Sequence, residues 1–201
     1  MGAFYNSIQV RGENRDAVKT ALESFACDGG KRFLLGPALD GWIAIYPDDS
    51  GQDERCTTIL SKRLNTIVLC LTVYDSDLFF YNFIRNGELL NEFSSSPDYF
   101  EQVSSTEHQR LQAKPELFRG LVGSPEQFAE ITQLLECGDN APKFDFEEHR
   151  MEKFAALLGI RNTLTSYEYL TQGEHDGITG WEQFIHVPDR SADHDGAAGQ
   201  T

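Results

Sequence analysis

The stretch from Ile67 to Phe93 constrains the fold more than any other part of the chain. Ile67 to Tyr74 is a run of β-branched and apolar residues, Asp75-Ser76-Asp77 is turn-forming, and Leu78 to Ile84 is a second apolar run. Asn86-Gly87 then supplies the two left-handed residues of a tight hairpin turn, after which Glu88 to Phe93 returns. This is the pattern of a three-stranded antiparallel meander. On its middle strand Phe79, Tyr81 and Phe83 point to one side, while Leu78, Phe80 and Ile84 point to the other. A strand that is apolar on both faces needs a layer of helices above the sheet and another below it.

The residues before the meander supply one such layer. Phe4 to Val10 reads as a strand, closed by Arg11-Gly12. Asn14 is placed to cap a helix with the buried stripe Val18, Ala21, Leu22 and Phe25, which Gly29-Gly30 ends. Arg32 to Leu35 and Trp42 to Tyr46 are strands joined around Asp40-Gly41. After a polar loop at Pro47 to Gly51, the segment from Gln52 to Leu64 is helical, with Cys56, Ile59, Leu60 and Leu64 on one side. Its acids Asp53 and Glu54 fall in the first turn and Lys62 and Arg63 in the last, as the helix dipole favours. The order strand, helix, two strands, helix, three strands predicts an α+β fold. Its sheet is expected to be mainly antiparallel, of the split β-α-β (ferredoxin-like) kind, extended by a hairpin.

Ser94-Ser95-Ser96-Pro97 ends the sheet, and from Asp98 to Gly123 no clean period emerges, so loop with short helical turns is expected. Ser124-Pro125-Glu126-Gln127 opens a helix with the stripe Phe128, Ile131 and Leu135. A further helix is expected from Asp145, with Glu148 completing a capping box and Met151, Phe154, Leu157 and Leu158 buried. These two helices are placed to cover the second face of the sheet. Thr165 to Leu170, where Tyr167 and Tyr169 alternate, reads as an edge strand or a short helix, and the alternation favours the strand. Beyond Gly173 a single apolar island, Trp181 to Val187, stands in polar sequence. The expected organisation is a sheet unit at 1–97, a helical extension at 98–174 and a largely flexible tail at 175–201.

Charge narrows the partners. Against 17 Lys and Arg stand 32 Asp and Glu, a net charge of −15. The segment from Gly173 to Thr201 holds only −5 of it, so the body is acidic as well. Such a surface repels phosphate backbones and anionic lipids, which argues against nucleic acid and membrane surfaces, and it attracts a basic protein. Apolar runs such as Ile67 to Val73 are too short to span a bilayer. Met1 to Asn6 has no basic stretch followed by an apolar run, so no secretory signal is expected. Cys27, Cys56, Cys70 and Cys137 contain no CxxC and are expected to be thiols in a reducing cytoplasm.

No motif for chemistry stands out. Gly29-Gly30-Lys31 is followed by Arg32 where a phosphate loop needs Ser or Thr, and neither a dinucleotide glycine fingerprint nor GxSxG occurs. His108, His149, His175, His186 and His194 form no HxH or HExxH. Glu148 and Glu152 share a helix face beside His149, but like charges at that spacing ordinarily point into water. The acidic stretch from Asp48 to Glu54 departs from a calcium loop, because Ile59 stands where the bidentate Glu belongs. Asp75 and Asp77 at a hairpin tip are expected to stay solvated and ionised, unsuited to proton transfer. No catalytic, cofactor-binding or metal-binding residue is therefore expected. The candidate partner-binding patch is aromatic and acidic: Trp42, Tyr81, Tyr99 and Phe100 with Asp48 and Asp49, set against the ordinary fate of such rings, which is the core.

Four strings share a likeness: Gly2-Ala3-Phe4-Tyr5, Phe79-Phe80-Tyr81 through Asn86-Gly87-Glu88-Leu89, Glu92-Phe93-Ser94-Ser95-Ser96-Pro97-Asp98-Tyr99-Phe100, and Tyr167-Glu168-Tyr169-Leu170-Thr171-Gln172-Gly173-Glu174. Together they resemble an uncharacterised family of bacterial cytosolic proteins over residues 2 to 174. The resemblance implies no assigned activity, carries over no catalytic residue, and sets Gly173-Glu174 as the end of the common domain. The leading expectation is a non-enzymatic acidic binding protein that masks or regulates a basic protein partner, as an immunity protein does. One alternative is an enzyme with a site near the 48–52 and 98–109 loops, using His108 or the acids. The other is a self-associating structural protein that uses a sheet edge or the segment from Tyr167 to Leu170.

Overall fold

The structure is a computed structural model that describes residues 2–29, 31–48, 54–137 and 142–188, with backbone alone at 26–29 and 54. Strands β1 (Tyr5–Arg11), β2 (Phe33–Leu39), β3 (Trp42–Pro47), β4 (Ile67–Tyr74), β5 (Leu78–Arg85), β6 (Glu88–Ser94) and β7 (Ile185–Val187) form one sheet. Its order is β6-β5-β4-β1-β3-β2-β7, and every neighbouring pair is antiparallel. With six helices among the described residues, the fold is α+β.

The local signals act as expected at several points. The meander is in register from Ile67 opposite Arg85 to Tyr74 opposite Leu78. Asn86 and Gly87 take φ of 53° and 84°, the paired left-handed geometry of the hairpin turn, and a Cβ at Gly87 would stand 2.8 Å from Lys62 Cβ. The Asn14 side chain accepts from Ala17 N at 3.0 Å at the start of α1 (Arg15–Gly29). Likewise Ser124 accepts from Gln127 N at the start of α4 (Pro125–Leu134).

Both faces of the sheet are covered. On one face Val18 and Leu22 of α1 and Cys56 and Leu60 of α2 (Glu54–Leu64) pack on Ile8, Ile43, Ile45 and Val68. On the other, α4, α5 (Glu147–Leu157) and a 3-10 turn at Pro115–Phe118 pack Ile131, Met151, Phe154 and Phe118 on Leu69, Leu71, Phe79, Tyr81 and Phe83. Adjacent residues of β4 thus enter different cores, and its apolar run follows from that. The 98–123 region holds only the short α3 (Ser105–Arg110) and the 3-10 turn.

Three expectations are corrected. The capping box at Asp145 and Glu148 does not form: α5 starts after Phe146, which gives no side-chain cap. A distant residue takes over, since the Ser76 carbonyl accepts from Glu147 N at 2.8 Å and the Ser76 hydroxyl donates to Glu148 Oε1 at 3.2 Å. The segment from Thr165 to Leu170 is not an edge strand, because Tyr167 begins α6 (Tyr167–Thr171). Tyr167 and Leu170, three residues apart, turn together onto Leu34, Ala44 and Tyr46, which a strand's alternation would prevent. The edge position belongs instead to the apolar island. A 3-10 turn at Trp181–Gln183 leads into β7, which pairs Val187 with Phe33 and Ile185 with Leu35. Residues 175–188, expected in a largely flexible tail, therefore include a sheet strand, held because Val187 enters the α1–α2 core and Phe184 stacks on Tyr46.

Removing residues 175–201 is expected to open the β2 edge and uncover Phe33, Leu35 and Tyr46. Losing the burial of Val187 alone costs about 2 kcal/mol, and an open apolar edge pairs with other chains. Light scattering of the shortened chain should then show association. A monomer as stable as the full chain would contradict the role given to β7.

Candidate functional site

The end of the sheet where β4 turns into β5 gathers unusual features. Asp75 and Ser76 adopt φ of 51° and 63°, a left-handed pair that needs support from outside the turn. The first residues of the chain supply it. Gly2 N donates to Asp75 Oδ1 at 2.6 Å, Ala3 N donates to the Ser76 hydroxyl at 2.8 Å, and Ser76 N donates back to the Ala3 carbonyl at 3.1 Å. A Cβ on Gly2 would collide with the Asp75 carbonyl, so only glycine permits this approach. As the same serine also caps α5, it joins the chain start, the hairpin and the helix at one point.

Four rings stand on this junction. Phe4 meets Tyr74 edge-on at 5.7 Å, Tyr74 meets Tyr99 at 6.0 Å and Phe100 at 5.1 Å, and Tyr99 meets Phe100 at 5.0 Å. Phe100 is 69% exposed and Tyr74 39%, and Phe146, at the start of α5, is 50% exposed. Exposed Asp98 and Glu101 flank Tyr99 and Phe100 in sequence, and exposed Asp75 and Asp77 lie near Tyr99 in space. Partial desolvation first, then the charges of Asp75 and Asp77, push the Tyr99 phenol above its ordinary range. Asp98 is held in place by Val103 N at 2.9 Å and His108 Nε2 at 3.0 Å.

Of the six residues expected in a patch, Tyr99 and Phe100 lie here. Asp48 lies at the same end of the sheet and lines a small notch with Phe4, while its carboxylate is paired with Arg32 Nε at 2.6 Å. Asp49 lies outside the described residues. Trp42 and Tyr81 are inside the protein, 2% and 0% exposed. The strand alternation puts both on the face that α5 covers. Trp42 Nε1 donates to the Leu158 carbonyl at 2.8 Å, and the Tyr81 hydroxyl donates to Asn91 Oδ1 at 2.8 Å. The members that sequence reasoning missed are Phe4 and Tyr74. An aromatic at a strand end beside an acidic turn, as Tyr74-Asp75 is, was the available signal.

Some of the groups that could do chemistry are occupied in other ways. His108 pairs with Asp98 at the surface, and Glu107 beside it is tied to Arg110 at 2.6 Å, which holds its carboxyl below the usual range. Burial pushes the Cys137 thiol up, the opposite of what a nucleophilic cysteine requires. Among the described residues no group of three or more His, Cys, Asp or Glu is placed to hold a metal ion, and no helix is long and apolar enough to cross a membrane. No protein-family model, curated protein or solved structure matches the chain.

Proposed function

We propose that this is a non-enzymatic acidic binding protein that masks or regulates a basic protein, which it engages through the ring cluster of Tyr74, Tyr99 and Phe100. The observation that carries this reading is the joint exposure of Tyr74 and Phe100, with half-buried Tyr99 packed against both, on a braced junction beside Asp75 and Asp77. Aromatic side chains are the usual anchors of protein interfaces, and a surrounding rim of one charge steers the partner of opposite charge. Lysine and arginine side chains fit both parts, lying over ring faces and pairing with carboxylates. A net charge of −15 extends the attraction beyond the contact.

The finer fold reading belongs to the same proposal. The sheet order β4-β1-β3-β2, with α1 and α2 packed on one face, supports a split β-α-β (ferredoxin-like) unit extended by the β5–β6 hairpin. A cytoplasmic address is supported by Cys56, Cys70 and Cys137, none of which forms a disulfide.

The test is affinity capture at low salt with the protein and with its Tyr99→Ala/Phe100→Ala variant. A stoichiometric basic protein is expected on the first. Its affinity should fall with rising salt and be weaker by at least about tenfold for the variant, while the variant's melting temperature stays unchanged. Equal retention by both proteins, or no stoichiometric basic partner, would refute the proposal.

A further inference from the structure

A second feature lies on the other side of the Asp48–Arg32 ion pair. A groove of about 660 Å³ runs between α6 and the β2–β7 edge. Its floor is Leu34, Tyr167 and Leu170, all buried. Trp181 forms a wall, held by His175 stacked on the indole with ring centroids 4.0 Å apart and planes 14° from parallel. The β7 register sets His186 opposite Leu34, so its ring is directed to the α6 side of the sheet and lines the groove.

The polar groups of this groove are mostly donors. Arg32 uses only Nε on Asp48, and its guanidinium lies 5.8 Å from the Tyr167 ring centroid. Its two terminal nitrogens, the His186 ring and the Gln172 side-chain amide make no hydrogen bond to any described residue. A guanidinium fork beside apolar and aromatic walls recognises a planar anionic group joined to an apolar body. The charge favours a single negative charge over two. Arg32 is the one permanent cation among the lining residues, and Asp48 already offsets part of it.

We propose that this groove binds a small planar aromatic monocarboxylate, its carboxylate on the Arg32 fork and the His186 ring, its ring system between Trp181 and the Leu34–Tyr167 floor. The site is independent of the protein-docking surface, and either can fail without the other.

The probes are 2-naphthoate, its neutral carboxamide and 2-naphthyl phosphate, titrated into the full chain by calorimetry and followed at the two indole N–H resonances. Trp181→Phe assigns its own signal, and buried Trp42 serves as an internal control. Saturable one-to-one binding of naphthoate is expected, with the Trp181 resonance shifting and that of Trp42 still. The carboxamide and the phosphate should each bind at least about tenfold more weakly. Arg32→Gln should weaken naphthoate by about tenfold and leave the carboxamide unchanged, a difference that mere loss of structure would not give. His186→Ala, at an exposed edge position, should weaken naphthoate as well. Absence of saturable naphthoate binding overturns the proposal. So does equal binding of the carboxamide, preference for the phosphate, or an Arg32→Gln protein that binds naphthoate as before.

Discussion

Phe154→Ala is expected to lower the stability of the protein by about 3–5 kcal/mol. Phe154 is fully buried at the centre of the α5 face. Its ring lies parallel to Tyr81 at 5.6 Å and 3°, edge-on to Phe118 at 5.1 Å, and tilted against Phe79 at 5.7 Å. These neighbours come from β5 and the 3-10 turn, and the Tyr81 hydroxyl is anchored on Asn91, so the surroundings have little freedom to close over the space left. Urea denaturation should show the midpoint fall with the slope retained, and Phe154→Leu should recover about half of the loss. A loss below about 1 kcal/mol would mean that the two layers are not held together by this stack.

Arg150→Met is expected to have a comparable effect, about 3–5 kcal/mol, by another mechanism. Arg150 is only 5% exposed. It donates to the carbonyls of Leu134 at 2.9 Å, Pro142 at 3.1 Å and Glu136 at 3.3 Å, and its Nε lies 2.9 Å from Glu147 Oε2. Methionine fills a similar volume but leaves the end of α4 without donors and Glu147 without its counter-charge. Burial already raises the Glu147 carboxyl above the usual carboxylate range, and Arg150 acts against that rise. Without the arginine the folded-state pKa climbs further. A carboxyl whose pKa is higher in the folded than in the unfolded state adds stability at pH values below its unfolded pKa. That contribution is lost as pH rises through the folded value. The deficit of Arg150→Met should accordingly be largest near neutrality and narrow on acidification toward pH of about 4. The double variant Arg150→Met/Glu147→Gln should be more stable than Arg150→Met at pH 7, since a neutral amide is less costly to leave in place. A deficit independent of pH would assign the arginine's role to its carbonyl contacts alone.

What was legible in the sequence was what short-range chemistry decides. The alternation on β5, the Asn86-Gly87 turn and the caps at Asn14 and Ser124 are local, and each took its expected form. Which aromatic residues stay outside is a different kind of question. Trp42 and Tyr81 look no less available than Tyr99 in sequence, and only the path of α5 across their face decides the matter. β7 has three residues and pairs with a strand some 150 positions earlier, so no periodicity could announce it. α6, at five residues, is too short for a helical period to beat an apparent alternation of tyrosines. The start of α5 is not legible locally, because its support comes from Ser76, 71 positions before Glu147, and not from the neighbouring Asp145. Part of the candidate surface was hidden for the same reason, as Phe4 meets Tyr74 through the β1–β4 register, which sets Tyr5 opposite Val73, and through the Gly2–Asp75 and Ala3–Ser76 contacts.

The Ser76 junction bears on how a partner would be met. Rings carried on a loose loop must be immobilised when they bind, and the lost freedom subtracts from affinity. Here the turn is bolted to the chain's first residues and to a helix, and the rings brace one another edge to face. Most of the ordering has been done in folding, so a visitor encounters a shape already set, and association forfeits little entropy.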